Sequence, residues 1–269
     1  KKQAKFFDIV TWTGTGVAGR TVSHSLGSIP GMMIVKSTSL AEPWVVYHKG
    51  LNGGTTPQNY HIRLTAGNEA ADSDIWNNTA PTSSSFTVGG NDKVNANNQT
   101  YVAYLFADDT ASDGLIQCGS YTGNGGAGVN SITLGWEPQW ILLKNASATG
   151  SWAMYDTVRG WVDSASDSDD ARLFANSTGI ESLGNAFGPT ATGFEFKSGN
   201  LTWNNSGNDF VYIAIRSPFI STITYDPDLQ WSGGTAPTAP ATGETDVITF
   251  NTTDGGTTYK SALAIDGAK

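Results

Sequence analysis

The fold is decided by a stretch that the chain contains twice: LGSIPGMMIVK at residues 26–36 and LGWEPQWILLK at residues 134–144. Further matched pairs around it are Trp44 and Trp152, Tyr47 and Tyr155, and the turns Thr13-Gly14-Thr15-Gly16 and Thr122-Gly123-Asn124-Gly125. All of these matches lie 108 or 109 residues apart, which is the size of a small domain rather than of a solenoid repeat. The sequence therefore predicts two copies of one unit, called repeat 1 and repeat 2.

Short apolar runs dominate both repeats. They are rich in β-branched and aromatic residues and are bounded by Gly, Pro, Asn and Ser, which is typical of strands in sandwiches. We predict an all-β chain with two tandem, jelly-roll-like β-sandwich pseudo-repeats at residues 1–109 and 110–218. The spacing leaves open whether the repeats form two sandwiches or two halves of a larger one. Residues 170–176 fit either a helical turn or a strand.

A third segment, residues 219–269, has a different composition. Its runs at residues 246–250 and 257–264 flank Asn251-Thr252-Thr253-Asp254-Gly255-Gly256, and Asp-Gly between two such runs is a hairpin signal. We predict a small C-terminal β-hairpin unit, with further strands at residues 220–225 and 229–231. Because so small a unit buries little surface alone, we expect it to pack on repeat 2 or on a neighbouring chain.

The composition argues against two classes of partner. The formal net charge is −9, and the 15 basic residues are scattered, whereas a phosphate backbone favours clustered Lys and Arg. We therefore expect neither nucleic acid nor an anionic membrane as a partner. No apolar run approaches the 18 residues of a membrane-spanning helix. The chain opens with Lys1-Lys2, so we expect a mature or partial piece of a longer protein.

Cys118 is the single cysteine, so stability must come from packing or oligomerisation rather than from intrachain disulfides. It stands in a strand-like run, where a buried, unreactive thiol is the better prediction.

One motif resembles a catalytic or cofactor signature. Gly14, Gly16 and Gly19 match the G-x-G-x-x-G pattern of dinucleotide sites, but no helical pattern follows them. Repeat 2 has the same spacing at Gly123, Gly125 and Gly128, as a structural turn with positive φ would require. We predict turns and no nucleotide site.

The remaining polar residues give no catalytic constellation. His24, His48 and His61 all lie in repeat 1, and a structural role is the better prediction for each. The few glutamates are spread out, and the acidic run at residues 163–170 lacks the Gly and Glu of an EF-hand loop. We expect no catalytic residues, no metal site and no cofactor.

The repeat sorts the tryptophans into two sets. Trp44 and Trp152 occupy equivalent positions, so we assign them to the scaffold. Four tryptophans that have no aromatic counterpart are Trp76, Trp136, Trp161 and Trp203. They lie beside Asn, Gly, Asp or Ser, and an exposed aromatic ring next to polar groups is a common platform for sugars. We predict these four as glycan-binding candidates, although burial at the ends of the sandwich is the alternative for each.

Several phrases of the chain are similar to a known repeat. They are residues 21–30 (TVSHSLGSIP), 44–48 (WVVYH), 75–82 (IWNNTAPT) and 101–104 (YVAY), with 119–125 (GSYTGNG) and 135–140 (GWEPQW) in the second half. As a set they resemble a repeat of tail-fibre-like and other virion structural proteins of tailed, notably marine, bacteriophages. Residues 231–237 (WSGGTAP) and 254–259 (DGGTTY) resemble a segment that closes phage tail proteins. The resemblance implies a place in a virion and transfers no functional residue.

These observations lead to one expectation with two alternatives. We expect a non-enzymatic bacteriophage virion protein on the particle exterior, most plausibly a tail fibre or adhesin that contacts host-surface polysaccharide. The first alternative is a purely structural virion protein, either a capsid decoration or a fibre shaft. The second is a secreted carbohydrate-active protein. As partners we expect other virion proteins and further copies of the chain, because fibre proteins assemble as symmetric oligomers, most often trimers.

Overall fold

The computed structural model describes residues 2–111, 113–162, 170–184, 187–197 and 202–216, together with three strands beyond them. Its contacts divide the chain into two compact units, residues 1–217 and residues 218–269. The first unit contains both repeats.

Repeat 1 consists of eight strands and two one-turn helices. The strands are β1 Phe7–Thr13, β2 Arg20–Ser23, β3 Pro30–Ser37, β4 Val45–His48, β5 Tyr60–Arg63, β6 Ala70–Ala71, β7 Ser85–Val88 and β8 Thr100–Ala107; the helices are α1 Ser73–Trp76 and α2 Asp92–Asn95. Short 3-10 turns at Leu51–Gly54 and Pro57–Asn59 join β4 to β5. Six strands form an antiparallel sheet in the order β1-β8-β3-β4-β5-β6, and β2 pairs with β7 in a small second sheet.

Repeat 2 has the same plan with one extra strand. Its strands are β9 Ile116–Thr122, β10 Asn130–Thr133, β11 Pro138–Asn145, β12 Ala153–Asp156, β13 Asp170–Phe174, β14 Ser182–Gly184, β15 Phe187–Thr190, β16 Gly193–Phe196 and β17 Asp209–Arg216, with a 3-10 turn at Thr157–Arg159. The large sheet runs β9-β17-β11-β12-β13-β14, and the small one runs β10-β16-β15. The predicted all-β, sandwich-like fold is confirmed, and residues 170–174 form a strand.

The small sheet of each repeat packs against the inner face of its large sheet. In repeat 1, Trp12 meets Phe86 with ring centroids 5.6 Å apart, and in repeat 2 Tyr121 meets Phe194 at 6.4 Å. Side chains alternate between the faces of a strand, so the other side of each large sheet, its outer face, carries a second set of residues.

The two repeats share one continuous core. Buried residues of repeat 1, such as Met32, Val46 and Leu51, belong to the same cluster as Leu142 and Ile213 of repeat 2. A second cluster fills the inside of repeat 2. The large sheet of repeat 2 is therefore apolar on both faces, which explains the unbroken runs of β11 and β17. Each repeat has its own pair of sheets, but the pair of repeats packs as one unit.

Close contacts define the joint between the repeats. The indole nitrogen of Trp152 donates a hydrogen bond of 2.9 Å to the carbonyl of Arg63. The amide of Glu69 donates to the carbonyl of Ala146 at 2.9 Å. An added Cβ at Gly50 would lie 2.5 Å from the Cβ of Ser120, so the backbone of repeat 1 comes directly against a side chain of repeat 2.

The second unit contains three strands. β18 Gln230–Trp231 pairs in parallel with β20 Tyr259–Ala268, and β19 Thr245–Thr252 pairs with β20 in the antiparallel sense of the predicted hairpin. The strand predicted at residues 220–225 and the acidic run at residues 163–169 lie outside the described residues. Within the described part of the chain, no helix is long and apolar enough to cross a membrane.

Candidate functional site

The G-x-G-x-x-G stretch is a turn, as predicted. Gly16 and Gly19 have φ of 69° and 86°, and Gly125 of repeat 2 has 73°. The turn is fixed by a buried amide, because Asn95 accepts from the amide of Thr15 at 2.9 Å and donates to the carbonyls of Val17 and Gly89, each at 2.8 Å. The spacing of the repeat is the sequence signal for this role, because Asn204 stands 109 residues after Asn95.

Asn204 repeats this role in repeat 2. It is buried, and its side-chain oxygen accepts from the amide of Asn124 at 2.9 Å. Its amide nitrogen donates to the side chain of Asn124 at 2.6 Å. These glycines and asparagines hold the scaffold rather than a phosphate.

The exposure that we expected for the unshared tryptophans is wrong. Trp76, Trp136, Trp161 and Trp203 expose 1%, 3%, 0% and 5% of their surface. Trp76 donates to the carbonyl of Tyr60 at 3.0 Å, Trp161 to that of Phe187 at 2.9 Å, and Trp203 to the hydroxyl of Tyr155 at 2.9 Å. The indole nitrogen of Trp136 is buried without a hydrogen-bond partner. Burial of a large apolar ring is favourable in itself, and rings buried to this extent present no free face on which a sugar could stack.

The two scaffold tryptophans are not alike. Trp152 is 1% exposed under repeat 1, whereas Trp44 is 37% exposed beside Tyr104, with ring centroids 6.2 Å apart. Trp152 is therefore a core residue, whereas Trp44 packs on a neighbouring strand at the surface.

Two of the three histidines make structural hydrogen bonds: His24 with Thr82 and Leu26, and His48 with Tyr212 and Gly50, whereas Nδ1 of His61 is buried without a hydrogen-bond partner. His24, His48 and His61 are buried, and burial lowers the pKa of each. The pKa of His48 falls to about 4. The described residues contain no group of three or more His, Cys, Asp or Glu side chains that could hold a metal ion.

Cys118 is buried in the joint, as expected for an unreactive thiol. Its thiol lies 3.5 Å from the carbonyl oxygen of Ala107, and its amide donates to the carboxylate of Asp108 at 3.0 Å. Burial raises the pKa of the thiol, and the charge of Asp108 raises it further.

The best candidate site is an open groove of about 450 Å³ on repeat 2. The residues that line it are Asn145, Ala148, Thr149, Gly150, Ser151, Arg172, Phe174, Thr202, Trp203, Asn205 and Asn208. Arg172 lies over the ring of Phe174, 5.2 Å from its centroid. The described lining offers amides, hydroxyls and a guanidinium but no carboxylate, imidazole or thiol, so it suits binding of a hydroxyl-rich ligand better than hydrolysis.

The groove arises where repeat 2 departs from repeat 1. Trp203 stands at the position of Val94, because the backbone carbonyl of each accepts a hydrogen bond from an aromatic side chain on the first strand of its repeat. Trp12 on β1 donates to Val94, and Tyr121 on β9 donates to Trp203. By the same spacing of 109, Asn205 replaces Ala96. The fold does not require Asn205, because repeat 1 forms the same sheets with Ala96 at that position.

A buried lysine supports one wall of the groove. The ammonium of Lys144 donates to the carbonyls of Asn145 and Ala148 at 2.6 and 3.3 Å, and thereby fixes the turn that carries Thr149 and Gly150. Burial lowers the pKa of Lys144 to about 8. Lys36 holds the corresponding turn of repeat 1 through the carbonyls of Leu40 and Glu42, so the lysine belongs to the shared scaffold.

The fold and the groove define a duplicated, all-β sandwich protein with an open polar groove on repeat 2. The chain belongs to the family described as Domain of unknown function (DUF7483), which matches residues 2–218 and so spans both repeats. No curated protein and no solved structure matches the chain.

Proposed function

We propose that this chain is a non-enzymatic virion protein of a tailed bacteriophage, a tail-fibre or adhesin module that binds host-surface glycan through the groove of repeat 2. The observation that carries the proposal is the groove itself, which is lined by amide and hydroxyl side chains and in which Asn205 stands where repeat 1 has Ala96. Amide and hydroxyl groups match the hydroxyls of a sugar, and the exposed edge of Phe174 offers apolar surface. The resemblance to phage virion repeats supports the location on the particle exterior.

The composition fits this role. A chain with a net charge of −9 and no disulfide framework depends on packing and assembly for its stability outside the cell. The partners of this proposal are other virion proteins, further copies of the chain in a homo-oligomer such as a trimer, and a host polysaccharide.

The test is binding of the purified chain to an array of bacterial surface polysaccharides. Replacing Asn205 and Asn208 together by Ala removes two polar groups of the groove, and we expect affinity to fall about tenfold, because each lost hydrogen bond is worth roughly 0.5–1.5 kcal/mol. Gln99→Ala is the matched control, because Gln99 holds the position in repeat 1 that Asn208 holds in repeat 2. The backbone carbonyl of Gln99 accepts from the amide of Gly14, and that of Asn208 accepts from the amide of Gly123.

Unchanged binding of the double variant would remove the groove from the proposal. Release of free sugar from any of these polysaccharides would contradict the non-enzymatic role. Trp203→Ala is a poor test because it removes a buried ring and a hydrogen bond from the core.

A structural role without receptor contact is the second candidate. The burial of the four unshared tryptophans favours it, because it removes the aromatic platform that an adhesin was expected to display. Absence of binding to every polysaccharide and to whole host cells, in a protein that assembles normally, would select this candidate.

A further inference from the structure

The joint shows that repeat 1 presents a defined surface to repeat 2. Loop pair 1 comprises the turn Leu51–Gly54 and residues 66–69, which are tied together because the carboxylate of Glu69 accepts from the amide of Asn52 at 2.7 Å. This loop pair lies at one end of the outer face of the large sheet of repeat 2, where Leu51 belongs to the same buried cluster as Leu142, Trp152 and Ile213. The carbonyl of Ala66 accepts from the amide of Gly150 at 2.7 Å, and Leu51 is completely buried.

Repeat 2 contains the same construction, and its apolar side chains are exposed in the part of the chain that the structure describes. Loop pair 2 comprises the turn Thr157–Arg159 and residues 180–181, again tied by the glutamate that precedes the edge strand: Glu181 binds the guanidinium of Arg159 at 3.1 Å. Here the apolar side chains point to solvent. Val158 is 82% exposed, Ile180 92%, and Leu183 on the adjoining strand 60%.

The surface that would receive such a loop pair is also present twice. In repeat 2 it is the outer face of the large sheet, where Leu142, Ile213 and Trp152 are buried. The equivalent outer face of repeat 1 carries Phe7, Ile9, Ile34, Trp44 and Tyr104, all partly or substantially exposed. Phe7 stacks on Tyr104 with centroids 6.4 Å apart, so this is a continuous apolar patch.

We propose that loop pair 2 of one molecule docks on the outer face of repeat 1 of a second copy, in the way that loop pair 1 docks on repeat 2 within the chain. The occupant is a second copy because the chain contains both surfaces of the contact twice. Loop pair 1 and the outer face of repeat 2 cover each other within the chain, whereas loop pair 2 and the outer face of repeat 1 are exposed. A contact between two different surfaces is heterologous, so it either closes into a ring, such as a trimer, or continues as a filament. The proposal is independent of glycan binding.

The test exploits the two different halves. Trp44→Glu places a charge on the outer face of repeat 1 and leaves loop pair 2 unchanged. Ile180→Asp places a charge on loop pair 2 and leaves that outer face unchanged. We expect the unaltered chain to assemble with increasing concentration in light scattering and each variant to remain a single chain. A mixture of the two variants should give a species of two chains, because one intact contact remains. Val129→Asp is the control, as Val129 is 55% exposed outside both surfaces.

Circular dichroism establishes that each variant is folded. A single-chain mass for the unaltered protein at all concentrations would overturn the proposal, and so would normal assembly of either variant. If the variants are monomeric but their mixture is also monomeric, the head-to-tail arrangement is wrong. The glycan-binding test and the mass measurements use different variants and different readouts. Either proposal can therefore be contradicted while the other stands.

Discussion

The ring of His48 in repeat 1 lies 2.9 Å, at its Nε2 nitrogen, from the carbonyl oxygen of Tyr212 in repeat 2. Its Nδ1 nitrogen accepts from the amide of Gly50 at 3.0 Å. A backbone amide can only donate, so Nδ1 carries no hydrogen and Nε2–H donates to Tyr212. The joint therefore requires a neutral histidine. The residue at the equivalent position of repeat 2, Asp156, instead pairs with Arg159 at 2.6 Å.

This requirement predicts a loss of stability in acid. Burial lowers the pKa of His48 from 6.5 to about 4, so in this interval the unfolded chain binds a proton that the folded chain does not. The free energy of unfolding should fall as the pH drops through that window, by roughly 3 kcal/mol for this residue. His24 and His61 act in the same direction, because burial lowers their pKa as well. Urea unfolding across the window measures the slope.

His48→Gln separates the joint histidine from the other two. Glutamine can still donate to Tyr212 but does not titrate, so the variant should show a shallower dependence on pH. An identical slope in the variant and the unaltered chain would mean that His48 does not govern the acid response.

Gly50 should tolerate no side chain while Ser120 faces it. Its φ is −92°, which any residue can adopt, so the main obstacle to alanine is the side chain of Ser120, whose Cβ and Oγ lie 2.5 and 2.9 Å from the added methyl group; Nδ1 of His48 follows at 3.3 Å. Gly50→Ala should lower the free energy of unfolding by about 1–3 kcal/mol through overpacking. Combining it with Ser120→Gly should restore most of the loss. Two effects that simply add would contradict this contact.

The two turn-holding asparagines should differ in their contribution. Asn95→Ala leaves three backbone groups without a partner, whereas Asn204→Ala leaves one backbone amide and two side-chain groups that can turn to solvent. We expect losses of about 3 and about 1 kcal/mol, respectively, in chemical unfolding. The exposed Asn97→Ala, two residues from Asn95, should stay within about 0.5 kcal/mol of the unaltered chain.

Cys118 should resist alkylation in the folded protein. It is buried, and burial raises the pKa of its thiol, which suppresses the reactive thiolate. Iodoacetamide should label it only after denaturant is added. Labelling of the native chain at the rate of a free thiol would show that the joint opens readily.

The duplication made the fold predictable, because turns and apolar runs kept in both copies had to be structural. It identified the glycine turns and the strand-like runs that both repeats share. It could not separate exposed from buried tryptophans, since an unshared indole such as Trp161 can equally fill a cavity that only one repeat has. Nor could it find the joint. His48 and Gly50 contact residues far along the chain, and local periodicity contains no information on such pairs.

The groove was only partly accessible to sequence reasoning. The sequence points to Trp203, which lines the groove. It does not point to Asn205 and Asn208, which also line it, because asparagines are common throughout the chain. Burial of Lys144 was also missed, since a lysine at the end of a strand usually reaches solvent.

The sheet of repeat 2 that is apolar on both faces has an evolutionary consequence. A gene fragment encoding repeat 2 alone would produce a chain with an uncovered apolar sheet, and selection against aggregation would remove it. We therefore expect the two repeats to be inherited together. The family match agrees with this expectation, because it spans both repeats, residues 2–218.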